Sequence, residues 1–143
     1  MIRVFLDANV YFAGFFSKTG ASSLILQLAQ RGKLQVVASH LVLREADRNL
    51  RKKAGRETVT AFHCFLKKTK VQVITSPSER TLRQYEASIH PKDVPVLTAT
   101  LEAKVDFLIT LDRRHFFTPS VMAVSGKLKI LTPGDFLHQQ IYQ

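Results

Sequence analysis

The chain has 143 residues, of which 45% are hydrophobic and 22% are charged. That length predicts one domain over residues 1–143, and the composition is that of a folded globular protein, which excludes a disordered or fibrous chain. The formal charge of +10, from 21 Lys and Arg against 11 Asp and Glu, favours a polyanionic partner such as nucleic acid or an anionic membrane surface.

Three further features concern the compartment. The apolar runs are too short to span a bilayer, and no signal-peptide pattern opens the chain, so we expect neither membrane insertion nor secretion. The single cysteine, Cys64, cannot form an internal disulfide. A reducing, cytoplasmic location is therefore the prediction.

The apolar pattern predicts alternating strands and helices. Runs rich in Val, Ile, Leu and Phe predict buried strands at 2–6, 34–38, 71–74, 107–111 and 128–131. Helical spacing predicts helices at 22–30, 41–53, 58–68 and 94–104. Ser39 is placed to cap the second of these helices, and Gly55 separates it from the third. The alternation predicts an α/β fold, with a parallel sheet that is covered by helices on both faces.

Several common sites have no support in the sequence. Neither Gly-x-Gly-x-x-Gly nor a Walker A spacing follows a predicted strand, which argues against a nucleotide cofactor. The five histidines and Cys64 show no paired spacing of zinc ligands. No Gly-x-Ser-x-Gly elbow is present, which argues against a serine hydrolase.

Four acidic residues stand at positions that parallel topology would bring together. Asp7 and Asp112 directly follow the first and fourth predicted strands, and parallel strands place such residues at one edge of the sheet, where α/β proteins bind ligands. Asp93 begins a helix and Glu45 lies on the helix after the second strand. Each also has an ordinary explanation: Asp93 as an N-cap, Asp7 and Asp112 as turn residues, and Glu45 as a solvated side chain.

Convergence of these acids would have a chemical consequence. Clustered carboxylates repel one another unless a cation neutralises them, and oxygen ligands select Mg²⁺ or Mn²⁺ over Zn²⁺. A pair of such ions activates water and stabilises the leaving oxygen in phosphodiester hydrolysis. An acidic metal centre within a basic surface is typical of a nuclease.

Five stretches carry a resemblance to a known family. They are Leu-Asp-Ala-Asn-Val at 6–10, Leu-Arg-Glu at 43–45, Asp-Val-Pro-Val-Leu-Thr-Ala at 93–99, Leu-Ile-Thr-Leu-Asp at 108–112 and Leu-Thr-Pro-Gly-Asp-Phe-Leu at 131–137. Over nearly the whole chain the sequence resembles the PIN domain, and its length and tail look like those of stand-alone prokaryotic PIN proteins, many of which are VapC-like toxins. One departure is Ala8, where a threonine is common.

The resemblance implies a fold, an activity and a set of roles. It implies a three-layer sandwich with a central parallel sheet of order 3-2-1-4-5, and Mg²⁺- or Mn²⁺-dependent hydrolysis of RNA. Carried over by position, the catalytic metal ligands are Asp7, Glu45, Asp93 and Asp112. Asn9 and Thr110 become polar neighbours that orient the ligands. An antitoxin partner and a homodimer are left open. Asp47 competes with Glu45, although it lies about 200° further round the helix.

Basic side chains surround the predicted site. Arg44, Arg48, Arg51 and Lys52 recur at helical spacing beside Glu45, and Arg113 and Arg114 follow Asp112. We expect them to contact the phosphates of RNA, although a merely solvated basic face is the ordinary alternative. A cluster at Phe12, Phe15 and Phe16 is either core or a partner surface.

Two other functions fit parts of the sequence. A catalytically silent RNA-binding module would use the same residues without cleavage. A phosphotransfer fold also places an aspartate after its first strand, but Asp7-Ala8-Asn9 lacks the second acid that a dehalogenase-like phosphatase needs. A receiver domain needs an acidic pair in its first loop and a lysine after the last strand, which residues 130–133 do not supply.

Overall fold

The computed structural model describes residues 1–141, and it confirms the α/β fold and the strand order predicted above. Five parallel strands form one sheet of order β3-β2-β1-β4-β5. The strands are β1 (Ile2–Leu6), β2 (Leu34–Ser39), β3 (Gln72–Ile74), β4 (Phe107–Ile109) and β5 (Lys129–Leu131). The central strand β1 aligns Val4 with Val36 of β2 and with Phe107 of β4. Residues 142 and 143 of the predicted domain lie outside the described residues.

Three strands are shorter than their apolar runs. The run at 107–111 leaves the sheet early because the Leu111 amide donates to the side chain of Asn9 instead of to a strand. Val71 lies outside β3, since the preceding Lys70 is left-handed (φ 54°) and the Val71 amide closes back on Leu66. Leu128 closes a turn onto Ser125. Apolar runs therefore overestimate strand length where a turn directly precedes or follows the strand.

Helices flank the sheet in a three-layer arrangement. They are α1 (Ala8–Phe16), α2 (Ala21–Gln30), α3 (His40–Lys53), α4 (Arg56–Lys68), α5 (Glu79–Tyr85), α6 (Val94–Ala103), α7 (Arg113–Phe116), α8 (Pro119–Ser125) and α9 (Pro133–Ile141), with a 3₁₀ turn at Pro91–Asp93. Helices α2, α3, α4 and α6 match the predicted ones within two residues at each end. Within the described residues, no helix is long and apolar enough to cross a membrane.

The local sequence explains where α3 begins and why α1 was missed. The Ser39 hydroxyl accepts a hydrogen bond from the Val42 amide at 3.3 Å, which is the predicted N-cap. In contrast, α1 is apolar on nearly every side, so its sequence shows no periodicity of hydrophobic and polar residues. It packs against α2, α3 and α4. Contact with three helices explains why α1 carries apolar residues on nearly every side.

The phenylalanine cluster divides between the core and the surface. Phe15 packs edge-to-face against Phe62 and Phe65 of α4, with ring centroids 5.6 and 5.4 Å apart. Phe12 stacks on Phe16 at 5.2 Å, and Phe16 is 57% exposed. The core interpretation therefore holds for Phe15 and does not hold for Phe16.

Gly14 allows α1 and α2 to approach closely. A Cβ at this position would lie 2.3 Å from Leu26 Cδ1 and 3.2 Å from the carbonyl oxygen of Ser22. Leu26 is buried, so its side chain has little room to move away. The contact explains why a residue without a side chain stands at this position of α1.

We expect Gly14→Ala to destabilise the fold. Overpacking costs about 1–3 kcal/mol, and the better helix propensity of alanine returns about 1 kcal/mol, so the net loss is about 1 kcal/mol. Urea denaturation followed by circular dichroism measures it. Gly134→Ala is the matched control, because Gly134 also lies inside a helix, α9, and nothing lies within 4 Å of a Cβ there. Equal unfolding midpoints for the two variants would contradict this account.

Candidate metal centre

Asp7 stands where β1 ends and α1 begins. Its Oδ1 accepts a hydrogen bond from the Ala8 amide at 2.8 Å, so the side chain caps α1. The residue is only 6% exposed. The ordinary alternative for Asp7, a turn residue that caps a helix, therefore describes part of its role. Capping occupies only one of its two carboxylate oxygens.

Thr110 and Asn9 hold the other oxygen. The Thr110 hydroxyl donates to Asp7 Oδ2 at 2.7 Å and accepts the Asp112 amide at 3.0 Å. The Asn9 side-chain amide lies 3.4 Å from Asp7 Oδ2, and its carbonyl accepts the Leu111 amide at 3.1 Å. These bonds join the ends of β1 and β4 and orient the Asp7 carboxylate toward the carboxyl edge of the sheet.

Asp112 and Asp93 meet at the ring of His115. The Asp112 carboxylate caps α7 through the His115 amide, and the ring Nδ1 lies 2.9 Å from Asp112 Oδ2 and 2.9 Å from Asp93 Oδ2. One ring nitrogen carries at most one hydrogen, and its direction favours Asp112. Within residues 1–141, the buried Asp93 Oδ2 therefore has no hydrogen-bond partner.

The N-cap interpretation of Asp93 is not what the structure shows. Asp93 occupies the capping position of α6, but its side chain makes no capping hydrogen bond. Its carboxylate lies beside His115 instead. A buried carboxylate oxygen that neither caps a helix nor accepts a hydrogen bond is a strong candidate for a cation ligand.

The electrostatics of the site follow from burial and from like charges. The pKa of Asp7 is raised to about 6: burial is the largest cause, the hydrogen bonds from Thr110 and Ala8 oppose it, and the negative charges of Asp93 and Glu45 add to the rise. Burial and the Asp112 charge likewise raise the pKa of Asp93, against the opposing effect of His115. The acids therefore interact with one another, and a cation between them would favour their ionised forms.

Glu45, not Asp47, is the acid of α3 that acts on this group. Glu45 is half-buried, and its charge reaches Asp7. Asp47 Oδ2 accepts a hydrogen bond from Arg51 Nε at 2.7 Å, and its Oδ1 lies 2.6 Å from His63 Nε2. The hydrogen bond from Arg51 holds the pKa of Asp47 below its ordinary value. Asp47 is thus directed toward α4 and is neutralised there.

The predicted RNA-binding side chains fall into two groups, those without a carboxylate partner and the one that is paired with Asp47. Arg44, Arg48, Lys52, Arg113 and Arg114 are exposed, and the described residues offer none of them a carboxylate partner within ion-pair distance. Arg51 is also exposed, but its Nε is bound to Asp47. Five of the six predicted contacts are thus free to bind an anion.

Sequence spacing did not reveal two histidines of the site. His115 lies three residues after Asp112, the distance over which an N-cap side chain meets its helix. This spacing is the signal that could have placed His115 beside Asp112. His90 likewise lies three residues before Asp93, and its ring stacks on His115 with centroids 4.8 Å apart. One ligand atom from each of His90, Asp93 and His115 lies within 4.8 Å of the others.

The residues present fit a divalent cation. Asp7, Glu45, Asp93 and Asp112 are oxygen donors, the buried Asp93 Oδ2 has no hydrogen-bond partner among the described residues, and the charges of Asp93 and Glu45 add to the burial that raises the pKa of Asp7. Oxygen donors of this kind suit Mg²⁺ or Mn²⁺. Asp7, Asp93, Asp112 and Glu45 are the residues that would hold it.

The fold and the site together define an α/β protein with an acidic centre at the carboxyl edge of a five-stranded parallel sheet. Residues 3–114 match the family described as PIN domain, and the chain belongs to this family. PIN domains in general are nucleases. No curated protein matches the sequence.

Two solved structures show the same fold. PAE2754 from Pyrobaculum aerophilum is 21% identical, and the match, with a TM-score of 0.61, covers 99% of this chain and 97% of that one. VapBC2 from Rickettsia felis, solved bound to a DNA fragment from its promoter, is 14% identical. Its match also has a TM-score of 0.61 and covers 92% of this chain and 98% of that one.

The raised pKa of Asp7 predicts a pH-dependent stability in the absence of metal. Between the ordinary pKa of 3.8 and the folded value of about 6, the folded protein holds a proton that the unfolded chain has lost. The free energy of unfolding therefore falls as pH rises through this interval, by about 3 kcal/mol from Asp7 alone.

The variant Asp7→Asn removes this dependence, because its amide does not ionise. We expect the free energy of unfolding of Asp7→Asn, relative to that of the wild type, to increase as pH rises from 4 to 7. Urea denaturation with EDTA present measures both. Asp47→Asn is the control: the pKa of Asp47 is lowered from 3.8, so its contribution to stability is constant between pH 4 and 7, and the profile of this variant should run parallel to that of the wild type. Parallel pH profiles for wild type and Asp7→Asn would show that Asp7 ionises normally.

Proposed function

We propose that this protein is a metal-dependent endoribonuclease that hydrolyses phosphodiester bonds of RNA. The observation that carries the proposal is the buried Asp93 Oδ2, which has no hydrogen-bond partner in the described chain, within a group that also contains Asp7 and Asp112. Membership of the PIN family supports a nuclease, and the basic surface supports a nucleic acid substrate.

Asp7, Glu45, Asp93 and Asp112 are the proposed ligands of Mg²⁺ or Mn²⁺. When bound, the ion supplies an activated water and stabilises the oxygen that leaves phosphorus. The side chains of Thr110 and Asn9 fix the direction of the Asp7 carboxylate through the bonds described above. Positioning of this kind matters because a ligand that must be ordered on binding costs affinity for the ion.

The exposed basic residues are the proposed contacts to the RNA backbone. Arg44 and Arg48 lie next to Glu45 on α3, with Lys52 two turns further along, and Arg113 and Arg114 directly follow Asp112. Cations on both sides of an acidic centre attract the phosphates that the acids alone would repel. We exclude Arg51 from the principal contacts, since the bond to Asp47 neutralises it.

A toxin of a toxin–antitoxin pair is the proposed biological role. The resemblance to VapC-like proteins, together with the likeness in fold to VapBC2, supports this role. An antitoxin protein and a second copy of this chain are the corresponding partners. The alternative, a silent RNA-binding module, predicts affinity for RNA without cleavage, and the following experiment distinguishes the two.

Cleavage of a labelled single-stranded RNA should require Mg²⁺ or Mn²⁺ and an intact acidic centre. We expect Asp7→Asn and Asp93→Asn each to lower the cleavage rate at least about a hundredfold, because each removes a ligand. Asp47→Asn is the matched control and should cleave within a few-fold of the wild type, since Asp47 is directed toward α4. RNA binding without cleavage by the wild type in either ion would favour the silent module.

Salt dependence tests the basic surface. Counterion release gives single-stranded RNA binding a log–log slope of about −0.7 for each phosphate neutralised, so Arg44→Ala with Arg48→Ala should flatten the slope by about 1.4. The affinities are measured against KCl concentration in an Asp7→Asn background. Arg51→Ala should change the slope less, because Arg51 already has a carboxylate partner. A slope unchanged by the double substitution would mean that this face is only solvated.

A further inference from the structure

We propose that His90, Asp93 and His115 form a binding site for a transition-metal ion of the Zn²⁺ and Co²⁺ type, which shares Asp93 with the acidic centre. One ligand atom from each residue lies within 4.8 Å of the others. The three residues come from the segment before α6 and from α7, so the site exists only in the folded chain. It differs from the oxygen site described above because two of its ligands are imidazole nitrogens.

The distance between the ligand atoms of Asp93 and His115 is that of two ligands on one ion. His115 Nδ1 lies 2.9 Å from Asp93 Oδ2. Metal bonds of about 2.0–2.2 Å place neighbouring nitrogen and oxygen ligands about 3.0–3.4 Å apart, depending on the angle at the metal. The Asp93 oxygen and the His115 nitrogen are therefore already spaced for an ion, and the oxygen has no hydrogen-bond partner in the described structure that an ion would displace.

The protonation of His115 is compatible with metal binding. A neutral imidazole carries one hydrogen, so ligation through Nδ1 moves that hydrogen to Nε2 and ends the hydrogen bond between Nδ1 and Asp112 Oδ2. The Asp112 oxygen, 2.9 Å from the same nitrogen, then becomes available as a further ligand. One shift of a hydrogen thus releases two ligand atoms at the same place.

His90 supplies the second nitrogen. Its ring stacks on that of His115 with an interplanar angle of 23°, so the in-plane lone pairs are nearly parallel and the exposed His90 ring must turn to meet an ion on His115. Its Nδ1 accepts the Lys92 amide at 3.2 Å, and both residues are exposed. An ion that takes the Nδ1 lone pair replaces this hydrogen bond, and the Lys92 amide can then donate to water. The existing contact is therefore exchanged rather than left unsatisfied.

The donor set decides which ions bind. Two imidazoles with one carboxylate suit Zn²⁺, Co²⁺ and Ni²⁺, whereas Mg²⁺ prefers oxygen ligands alone. Because Asp93 belongs to both sets, an ion on the two histidines takes a ligand from the acidic centre. Zn²⁺ or Co²⁺ at this site is thus an antagonist of Mg²⁺ binding.

The experiment titrates the full-length chain with CoCl₂ and follows the visible absorption of Co²⁺, which moves to higher energy when nitrogen replaces oxygen. We expect His90→Ala and His115→Ala each to weaken Co²⁺ binding at least about tenfold and to lose the nitrogen-dependent shift. His63→Ala is the matched control, since His63 lies on α4 beside Asp47, and should bind within twofold of the wild type. ZnCl₂ should displace Co²⁺ at equimolar concentration, whereas MgCl₂ should not.

Two results would overturn the proposal. One is Co²⁺ affinity and absorption that stay the same in both histidine variants, and the other is displacement of Co²⁺ by equimolar MgCl₂. Circular dichroism of each variant confirms folding, and the two single substitutions provide independent tests. RNA cleavage in Mg²⁺ is measured separately, so cleavage of RNA by the wild type, together with Co²⁺ binding that neither histidine substitution weakens, contradicts only this inference.

Discussion

A carboxylate at the end of a buried central strand needs hydrogen-bond donors and nearby positive charge, and this requirement at Asp7 organises the site. The donors come from two parts of the chain that are far apart in sequence: the Ala8 amide at the start of α1 and the Thr110 hydroxyl at the end of β4. Both donors are local to the edge where β1 and β4 end. The positive charge has no equally fixed source, which is why burial leaves the pKa of Asp7 raised.

The strand order makes this arrangement possible. Because β1 is central and β4 is its neighbour, Asp7 and Thr110 directly follow adjacent strands, and Asp112 lies two residues after Thr110. The aspartates at both strand ends cap the helices that follow, α1 and α7, so the positive ends of two helix dipoles point at the acidic group. The same residues therefore end the strands, begin the helices and build the centre.

Basic side chains surround the acidic group and oppose its negative charge. His115 lies between Asp93 and Asp112 and opposes the raised pKa of Asp93. Further out are the exposed arginines of α3 and α7. Asp47 shows the contrast: it is an acid on the same helix as Glu45, but Arg51 and His63 neutralise it, and its pKa is lowered. Asp47 thus has two hydrogen-bond partners, whereas Asp93 Oδ2 lies beside His115 without a hydrogen bond among the described residues.

The sequence by itself determined the alternation of strands and helices, and with it the parallel sheet and the edge at which Asp7 and Asp112 lie, because apolar periodicity is local. The resemblance to a family supplied the strand order. Periodicity failed for α1, which is apolar on nearly all sides. Only the tertiary structure decided that the Asp93 side chain makes no capping hydrogen bond, that Asp47 contacts His63 of α4, and that His90 and His115 lie beside the acids. These contacts depend on packing between segments far apart in the chain, and no local pattern encodes which side chain an exposed or half-buried residue will meet.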